Sequence, residues 1–460
     1  PAFAEAYYNL GNILNELGKL KDAVLFVRKA IELNPTFAEA YYNLGNILRD
    51  LDNLKEAEIS TRKAIELNPE FAMAHANLGG ILRDLDNLKE AEISTRKAIE
   101  LNPNSANAHS NLAIILIDDL GKLQEAELSL RQAIELNPNY AEAYYNLSYL
   151  ELLKGDYQSG FEHYEFRFKK EEPSSVHANP KIKKIDSNQV HPKEKLLVVS
   201  EQGLGDTLHY MRYIPYLRKQ GFDISFCAQK KLHSLINSSG IDSNPLTPEQ
   251  ANQVSEGQWI PLLSLPKYLN VTSTNSIVST PYIYSREDLK EKWGKILSKE
   301  KRPIIGINWQ GNPDREKQSY KGRSIPLELF EILLKKNNIK FLSLQKGYGS
   351  EQIKDCSFVK HFVDCQNQID NTWDFEETAA IIDCCDLVIS NDTCTATMTG
   401  AMGKKVWLLL RDIPYWTWGL EKESTFWYPS MRLFRQKERD NWHEVMERVS
   451  VELRKLENTF

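Results

Sequence analysis

LLVVSEQGLGDTLHYMRYIP, residues Leu196–Pro215, is the stretch on which the reading of this 460-residue chain turns. Leu196–Ser200 is an apolar run with the length of a buried parallel strand. Gly203 and Gly205 interrupt it, and Asp206–Thr207 opens a helical pattern. Strand, glycine turn and helix start are how an α/β protein brings its backbone close to a ligand. Two roles are open to Asp206. It is a catalytic base at the mouth of a cleft, or it caps the helix, since Asp is a favoured N-cap residue in any protein.

Working downstream, the same alternation continues. Asp223–Gln229 reads as a strand, Lys231–Ser238 as a short helix and Trp259–Leu265 as a further apolar segment. Pro303–Gln310 is a strand running into Gly311–Asn312, followed by a basic, polar loop, DREKQSYKGRS, and a helix over Leu327–Lys336. Phe341–Gln345 is the next strand and Phe375–Asp383 a helix. Leu387–Ser390 is a strand, Asn391 and Asp392 suit a turn and N-cap, Thr393–Met402 is a helix of small residues, and Lys405–Leu410 is another strand. Alternating strands and helices predict an α/β fold with parallel sheets. Small residues keep the first turn of Thr393–Met402 open, and exposed N–H groups at the positive end of the helix dipole make a phosphate site, with Thr393 and Thr395 adding hydroxyls. A plain βαβ unit capped by Asp392 is the alternative. Arg411–Ser430 packs six aromatics into a non-periodic loop, which either stacks on a sugar or base or fills a domain interface.

Composition narrows the classes. Hydrophobic residues make up 42% and charged residues 26%, ordinary values for a globular protein. No apolar run approaches the roughly 20 residues that span a bilayer, and no signal peptide is visible. The chain opens at Pro1 in mid-pattern, as it would if a segment preceded it. Six cysteines lack CxxC spacing and Cys384–Cys385 are adjacent, which points to a reducing, cytoplasmic compartment rather than to disulfides or zinc. The net charge of -6 hides an asymmetry: residues 1–172 carry 18 Lys/Arg against 28 Asp/Glu, and the remainder 39 against 35. So slight a basic surplus does not indicate nucleic-acid binding. A dinucleotide fingerprint fails because Leu208 stands where its third glycine belongs and Gln229, not an acid, ends the next strand. No GKS or GKT follows to make a Walker A loop.

Residues 1–172 are a repeat array. Pro35–Asn68 recurs as Pro69–Asn102, with Leu48–Pro69 and Leu82–Pro103 identical, and related units begin at Pro1, Pro103 and Pro138. Each unit holds two helical runs around a Leu-Gly or Leu-Asp turn and stops at Asn-Pro. One unit cannot bury both apolar faces, so the units stack into an α-helical solenoid. The fourth has an extra residue around Asp118–Asp119, read as a longer turn, and the aromatic GFEHYEFRF after Gly155 caps the array. The 34-residue period with its A-x-x-x-L-G … A … P pattern closely resembles tetratricopeptide repeats. Asn9, Asn43, Asn77, Asn111 and Asn146 recur at one position, with Asn12 and Asn46 in a second, incomplete row. An amide offers donor and acceptor to a peptide backbone; the alternative is a ladder bonding neighbouring helices. Residues 173–195, rich in Pro, Ser, Asn and Lys, read as a linker or extended strap.

EQGLGDTLHYMRYIP, the W-Q-G-N-P … R-S-I-P-L block and the D-T-x-x-x-x-x-x-G-A-x-G segment from Asp392 resemble the heptosyltransferase-like glycosyltransferases, particularly the bacterial type fused to tetratricopeptide repeats. The resemblance covers about residues 195–455 and implies a GT-B architecture: an acceptor-side subdomain at 196–300 and a nucleotide-sugar side at 301–460 with a closing C-terminal helix. It implies that Asp206 is the base that takes a proton from the acceptor hydroxyl, with His209 on the same helix face in support. Gln310, Lys321, Arg323, Gln345, Lys346, Thr378, Asp392, Thr393, Cys394 and Thr395 are the implied contacts to a nucleotide-diphosphate sugar. Asp314 does not carry over, because the acidic residues of its loop are displaced. The family has a His where this chain has Thr397. The α/β half has no D-x-D triad for a divalent metal, so Lys or Arg would assist the phosphates and no metal or cofactor is expected. The acceptor would be a polypeptide held by the asparagine row, as in such fusions, with the α/β halves closing for catalysis. The competing readings are transfer to a surface glycan with the array docking partner proteins, and a non-catalytic scaffold with a degenerate transferase domain.

Overall fold

The computed structural model describes residues 2–117, 122–185, 195–318, 321–335 and 337–457. It divides into two compact units: Pro1–Leu150 with Lys169–Glu172, and Glu151–Phe168 with Pro173–Phe460.

Among the described residues, the regular secondary structure of the first unit is helical. Its pairs are Ala2–Glu16 with Leu20–Leu33, Ala38–Asp50 with Leu54–Leu67, Ala72–Asp84 with Leu88–Leu101, and Ala106–Ile117 with Leu123–Leu136, followed by Ala141–Lys154. Within a pair the turn is made by one residue in the left-handed region, Gly18, Asp52 or Asp86. The pairs end at Asn34, Asn68, Asn102 and Asn137, which leave the helix before a proline. The glycine of the repeat has a packing reason. A Cβ on Gly45 would stand 2.1 Å from Thr61 Oγ1, and one on Gly79 2.0 Å from Thr95 Oγ1, so only glycine admits the second helix of the pair so closely. Fully buried Ala57, Ala64, Ala91 and Ala98 serve the same close stacking. Arg28–Glu56, Arg62–Glu90 and Arg96–Glu125 join successive repeats on the surface, at about 0.2–1 kcal/mol each. The extra residue near Asp118–Asp119 lies outside the described residues.

The second unit holds two parallel sheets, as alternating strands and helices predict. In chain order the strands are β1 (Lys183–Lys184), β2 (Lys195–Val199), β3 (Asp223–Cys227), β4 (Gln258–Pro261), β5 (Ile304–Asn308), β6 (Lys340–Ser343), β7 (Leu387–Asn391), β8 (Val406–Leu410) and β9 (Met431–Arg435). Sheet one runs β1-β4-β2-β3 and sheet two β6-β5-β7-β8-β9. Register places Leu197 beside Ser225 and Trp259, and Ile307 beside Ser343 and Ile389. Ile305, Ile307, Phe341, Ile389 and Leu409 are buried under Trp442, Val445, Val449 and Leu453 of the last helix, Trp442–Glu457. Each such side chain contributes about 1.5–3 kcal/mol by leaving water.

Several expectations change. The polar loop after Gly311 is helical over Pro313–Gln318, because Asn312 Oδ1 accepts the Asp314 N–H at 2.9 Å and proline suits a first helical position. The helix expected over Leu327–Lys336 splits into a 3₁₀ turn, Leu327–Phe330, and one α turn, Glu331–Leu334; Lys336 lies outside the described residues. In the described part of 173–195 the His177 N–H donates to Ser200 O, and Lys183–Lys184 pair with β4. Residues 186–194 lie outside the described residues. The aromatic run through Gly160–Phe168 belongs to the α/β unit. Tyr157 meets Phe426 and Trp427, while Phe161 and Tyr164 meet Trp416. The loop Arg411–Ser430 is accordingly filling rather than free platform: Trp416, Trp418, Trp427 and Tyr428 are all buried. None of the described helices is long and apolar enough to cross a membrane.

Candidate functional site

β2 delivers the chain to Gln202, which is left-handed at φ 59°, and the helix Leu204–Tyr210 begins at once. Gly203 is its N-cap, so Asp206 sits at the third helical position and not at the cap. Asp206 Oδ2 accepts the Gly203 N–H at 2.9 Å, closing the turn backwards as the acid of a capping box does. Burial pushes the Asp206 carboxyl up to about 6; the Gly203 bond opposes this, while the charges of Glu201 and Asp392 add to it. Gly205 faces the other sheet. A Cβ there would lie 3.6 Å from Cys394 Cα and 3.8 Å from Cys394 N, so the first turns of two helices meet.

That second helix, Cys394–Ala401, follows β7. β7 extends to Asn391, one residue beyond expectation, and this moves the N-cap from Asp392 to Thr393. The Thr393 hydroxyl turns back to Ser390 Oγ (3.2 Å) and Asn391 O (3.4 Å) and caps no amide. Thr395 Oγ1 donates to Asn308 Oδ1 at 3.1 Å, so this hydroxyl faces the sheet rather than a ligand. Burial raises both the Asp392 carboxyl, opposed by Arg323, and the Cys394 thiol. Arg323 lies across Gly311, where a Cβ would come within 2.4 Å of Nη2; its Nη1 donates to Asp392 O at 3.3 Å and its Nε to Glu316 Oε1 at 3.2 Å. Lys321, two residues earlier, is half-buried.

The other candidates lie along the carboxyl rim of sheet two, with their polar atoms engaged. Gln345 Oε1 accepts from the N–H groups of Trp309 (3.1 Å) and Gln310 (3.0 Å), and its amide donates to Gln310 O and Tyr348 O. It holds the ends of β5 and β6 together. Gln310 Oε1 accepts from Gln352 at 2.8 Å. Lys346 donates to Ile369 O and is lowered by burial, and Thr378 Oγ1 donates to Asp374 O at 2.7 Å within its own helix. Asp206, Gly203, Gly205, Arg323, Asp392, Thr393 and Cys394 therefore converge; no described contact joins Lys346 or Thr378 to them. Among the described residues no group of three or more His, Cys, Asp or Glu is placed to hold a metal.

Three residues that sequence reasoning passed over frame Asp206. Arg167 is fully buried and grips Glu201 through two bonds, Nε to Oε2 at 3.0 Å and Nη2 to Oε1 at 2.9 Å; it also donates to Ser264 Oγ at 2.9 Å and Glu165 Oε1 at 2.8 Å. Tyr164 OH accepts from the Gln202 amide at 2.8 Å. These bonds clamp the turn Glu201–Gly205 from behind. Arg212 is the third, buried and bonded only to oxygens of carbonyls and a phenol among its described contacts. His209 does not support Asp206. Its Nδ1 bonds Tyr428 OH at 2.8 Å in a pocket with Trp427 and Tyr210, and burial with the Arg212 charge drives it well below its usual range.

In the helical unit four members of the asparagine row bond to neighbouring polar side chains. Asn43 Nδ2 donates to Asn12 Oδ1 (2.6 Å), Asn77 to Thr61 Oγ1 (3.3 Å), Asn111 to Asn107 Oδ1 (3.0 Å) and Asn146 to Ser110 Oγ (3.5 Å). Asn9 is exposed and Asn77 buried. At Asn43, Asn77 and Asn146 the bond ties one helix to another, as a ladder requires.

Models of the tetratricopeptide repeat match residues 4–37, 38–71, 73–105 and 95–127, and a TPR repeat model matches 119–155. Protein FlbA of Caulobacter vibrioides is 30% identical over 159 residues, 33% of this chain and 25% of FlbA, so the chain spans about a quarter of that relative's length. Among solved structures, MamA from Desulfovibrio magneticus is 21% identical, covering 36% of this chain and 93% of that one at a TM-score of 0.32. A thermophilic TPR protein of Thermus thermophilus is 22% identical, covering 36% and 91% at a TM-score of 0.33. YrrB, described as a TPR protein with an unusual peptide-binding site, is 29% identical, covering 35% and 84% at a TM-score of 0.29. Residues 4–155 are an array of tetratricopeptide repeats.

Proposed function

We propose that the α/β unit is a glycosyltransferase of GT-B type that moves a sugar from a nucleotide-diphosphate donor to an acceptor hydroxyl, and that the repeat array holds a polypeptide acceptor. The observation that carries this reading is the meeting of Asp206 with the uncapped start of Cys394–Ala401, where Arg323 also arrives. The amides of that first turn and the guanidinium supply positive potential for a diphosphate without a metal. Asp206, raised to about 6, is ionised at neutral pH and a stronger base than an ordinary carboxylate. It takes the proton of the acceptor hydroxyl as that oxygen bonds to the anomeric carbon; the bond to the leaving phosphate breaks, and the nucleoside diphosphate departs with its electron pair. Direct attack with one base gives inversion. Six free cysteines support a reducing compartment such as the cytoplasm.

The test is a thermal-shift screen of the full chain against a panel of nucleotide sugars, followed by mass spectrometry of transfer products. A donor that raises the melting point, with Arg323→Gln blunting the rise, and a mass increment on a peptide support the reading; the absence of any donor effect sinks it. A scaffold reading draws on two observations: Thr397, at the family's His position, is buried, and the Thr393 and Thr395 hydroxyls bond within the protein. Donor binding without turnover would decide for it.

A further inference from the structure

The expectation that the α/β halves swing closed for catalysis conflicts with what lies beneath Asp206. Arg212 follows the Asp206 helix directly and is 1% exposed. Its Nε donates to His209 O at 2.7 Å on the sheet-one side. Its Nη1 donates to Trp427 O at 2.9 Å on the sheet-two side and to Val278 O at 3.1 Å in the crossing segment, and its Nη2 to Tyr282 OH at 3.3 Å. The guanidinium carbon also lies 4.4 Å from the centroid of the Tyr428 ring and 5.1 Å from that of Tyr282. A buried cation without a carboxylate persists only where its geometry is fully specified by such acceptors and ring faces.

A chain of hydroxyls extends the joint. Tyr282 OH donates to Leu208 O at 2.8 Å and lies 3.2 Å from Tyr428 OH, which is 2.8 Å from His209 Nδ1. Tyr282 N and Ile283 N both donate to Ala401 O, at the end of the opposite helix. The surfaces interlock as well. A Cβ on Gly403 would come within 2.5 Å of Pro281 in the crossing segment, and within the sheet-two half one on Gly400 would come within 2.8 Å of the Tyr428 ring. Packing this close has discrete arrangements rather than a continuous range.

We infer that Arg212, with Tyr428 and Tyr282, is the positioning centre of the site: it locks the helix bearing Asp206 to the Trp427–Tyr428 segment and to the end of the helix Cys394–Ala401, so the two walls form one preorganised body that does not close over its ligand. The inference rests on the proposed transferase reading for its catalytic consequence, and on the geometry alone for the lock. A hinge between the halves would have to break the Arg212 and Tyr428 bonds together in each cycle.

The experiment pairs two readouts on the full-length chain. Hydrogen exchange by mass spectrometry follows the amides of 204–212, 278–283 and 394–403, with and without UDP, GDP or ADP, in wild type, Tyr428→Phe and Arg212→Lys. A lock predicts protection across 278–283 that nucleotide leaves unchanged, and a joint loss of protection on both sides in Tyr428→Phe, with a smaller loss in Arg212→Lys. Opening or closing of 278–283 on nucleotide addition, or a loss confined to one side, would overturn it. The second readout is release of nucleoside diphosphate from whichever sugar donor the wild type turns over. Misplacing the base by a fraction of an ångström lowers kcat in Tyr428→Phe by about tenfold or more at unchanged donor KM; unchanged kcat would reduce the cluster to plain structure and refute the positioning role. A wild type that neither binds nucleotide nor turns over donor sinks the transferase reading, and with it the positioning role, while the exchange data on the free protein still decide the lock.

Discussion

Asp206→Asn separates a catalytic carboxylate from a capping one, because the two roles predict opposite effects on stability. Asparagine keeps the size of the side chain and an oxygen that can accept the Gly203 N–H, so the turn stays closed. What it removes is a charge held under protest by burial and by the neighbouring Glu201 and Asp392 carboxylates. The folded pKa of about 6 stands above the ordinary 3.8, so the folded state holds its proton more tightly than the unfolded one. Stability from this group is greatest below pH 4, declines as pH rises from about 4 to 6, and is lost above that window. Two units at 1.36 kcal/mol each would be roughly 3 kcal/mol for a fully buried group; Asp206 keeps some contact with solvent, which lowers the figure to ~1–2 kcal/mol.

The variant should therefore be more stable than wild type at pH 8, by ~1–2 kcal/mol or about 2–4 °C in Tm, and indistinguishable from it at pH 4. Transfer should fall by about 10²–10⁴ with donor binding intact. Thermal melts at the two pH values and a donor-release assay measure all three quantities. A variant that loses stability equally at both pH values would show that the carboxylate serves only the turn. Retained transfer would show that the base lies elsewhere.

Arg167→Met should cost about 3–5 kcal/mol in urea unfolding, because it leaves Glu201 buried without its partner, and adding Glu201→Met should recover a large part of that loss; equal losses in the single and double variants would deny the coupling. Gly45→Ala should destabilise the repeat array by about 1–3 kcal/mol through its collision with Thr61, and Thr61→Ala in the same chain should relieve it, as read by circular dichroism melts. Asn43→Ala should cost about 1 kcal/mol by stranding Asn12, whereas Asn9→Ala, at an exposed position, should leave the melt unchanged; equal effects would argue against the ladder.

Elements whose cause is local were readable from the chain. The repeat array announces itself by period, and its Leu-Gly, Leu-Asp and Asn-Pro signals mark turns and helix ends that form as expected. Apolar runs such as Ile304–Asn308 and Val406–Leu410 became buried strands, since a strand buried on both faces has no alternation to hide in. The errors cluster at the helix starts, where one residue decides the role. An N-cap is one of the two roles open to Asp206 and the place expected for Asp392; Gly203 and Thr393 hold the caps instead, since each strand-to-helix connection is placed by the sheet, not by side-chain preference. Polar residues such as Thr395 and Gln345 are implied ligand contacts and are bonded to the end of β5 and the residues after it, which no local pattern records.

What the chain could not disclose is the support beneath Asp206. Arg167 and Glu201 are 34 residues apart, and Arg212 reaches Trp427 across 215. In one dimension each is an unremarkable charge after a strand or helix, of the kind that usually points at water. Only folding reveals that all three are desolvated, and desolvation gives them their physical weight: an exposed pair is worth little, whereas a buried one is costly to break. The same burial raises Asp206. A carboxylate at that position in an open loop would be an ordinary acid; backed by Glu201, opposed by Asp392 and held in place from Arg167 on one side and Arg212 on the other, it has the raised pKa and the fixed position that the proposed role as a base calls for.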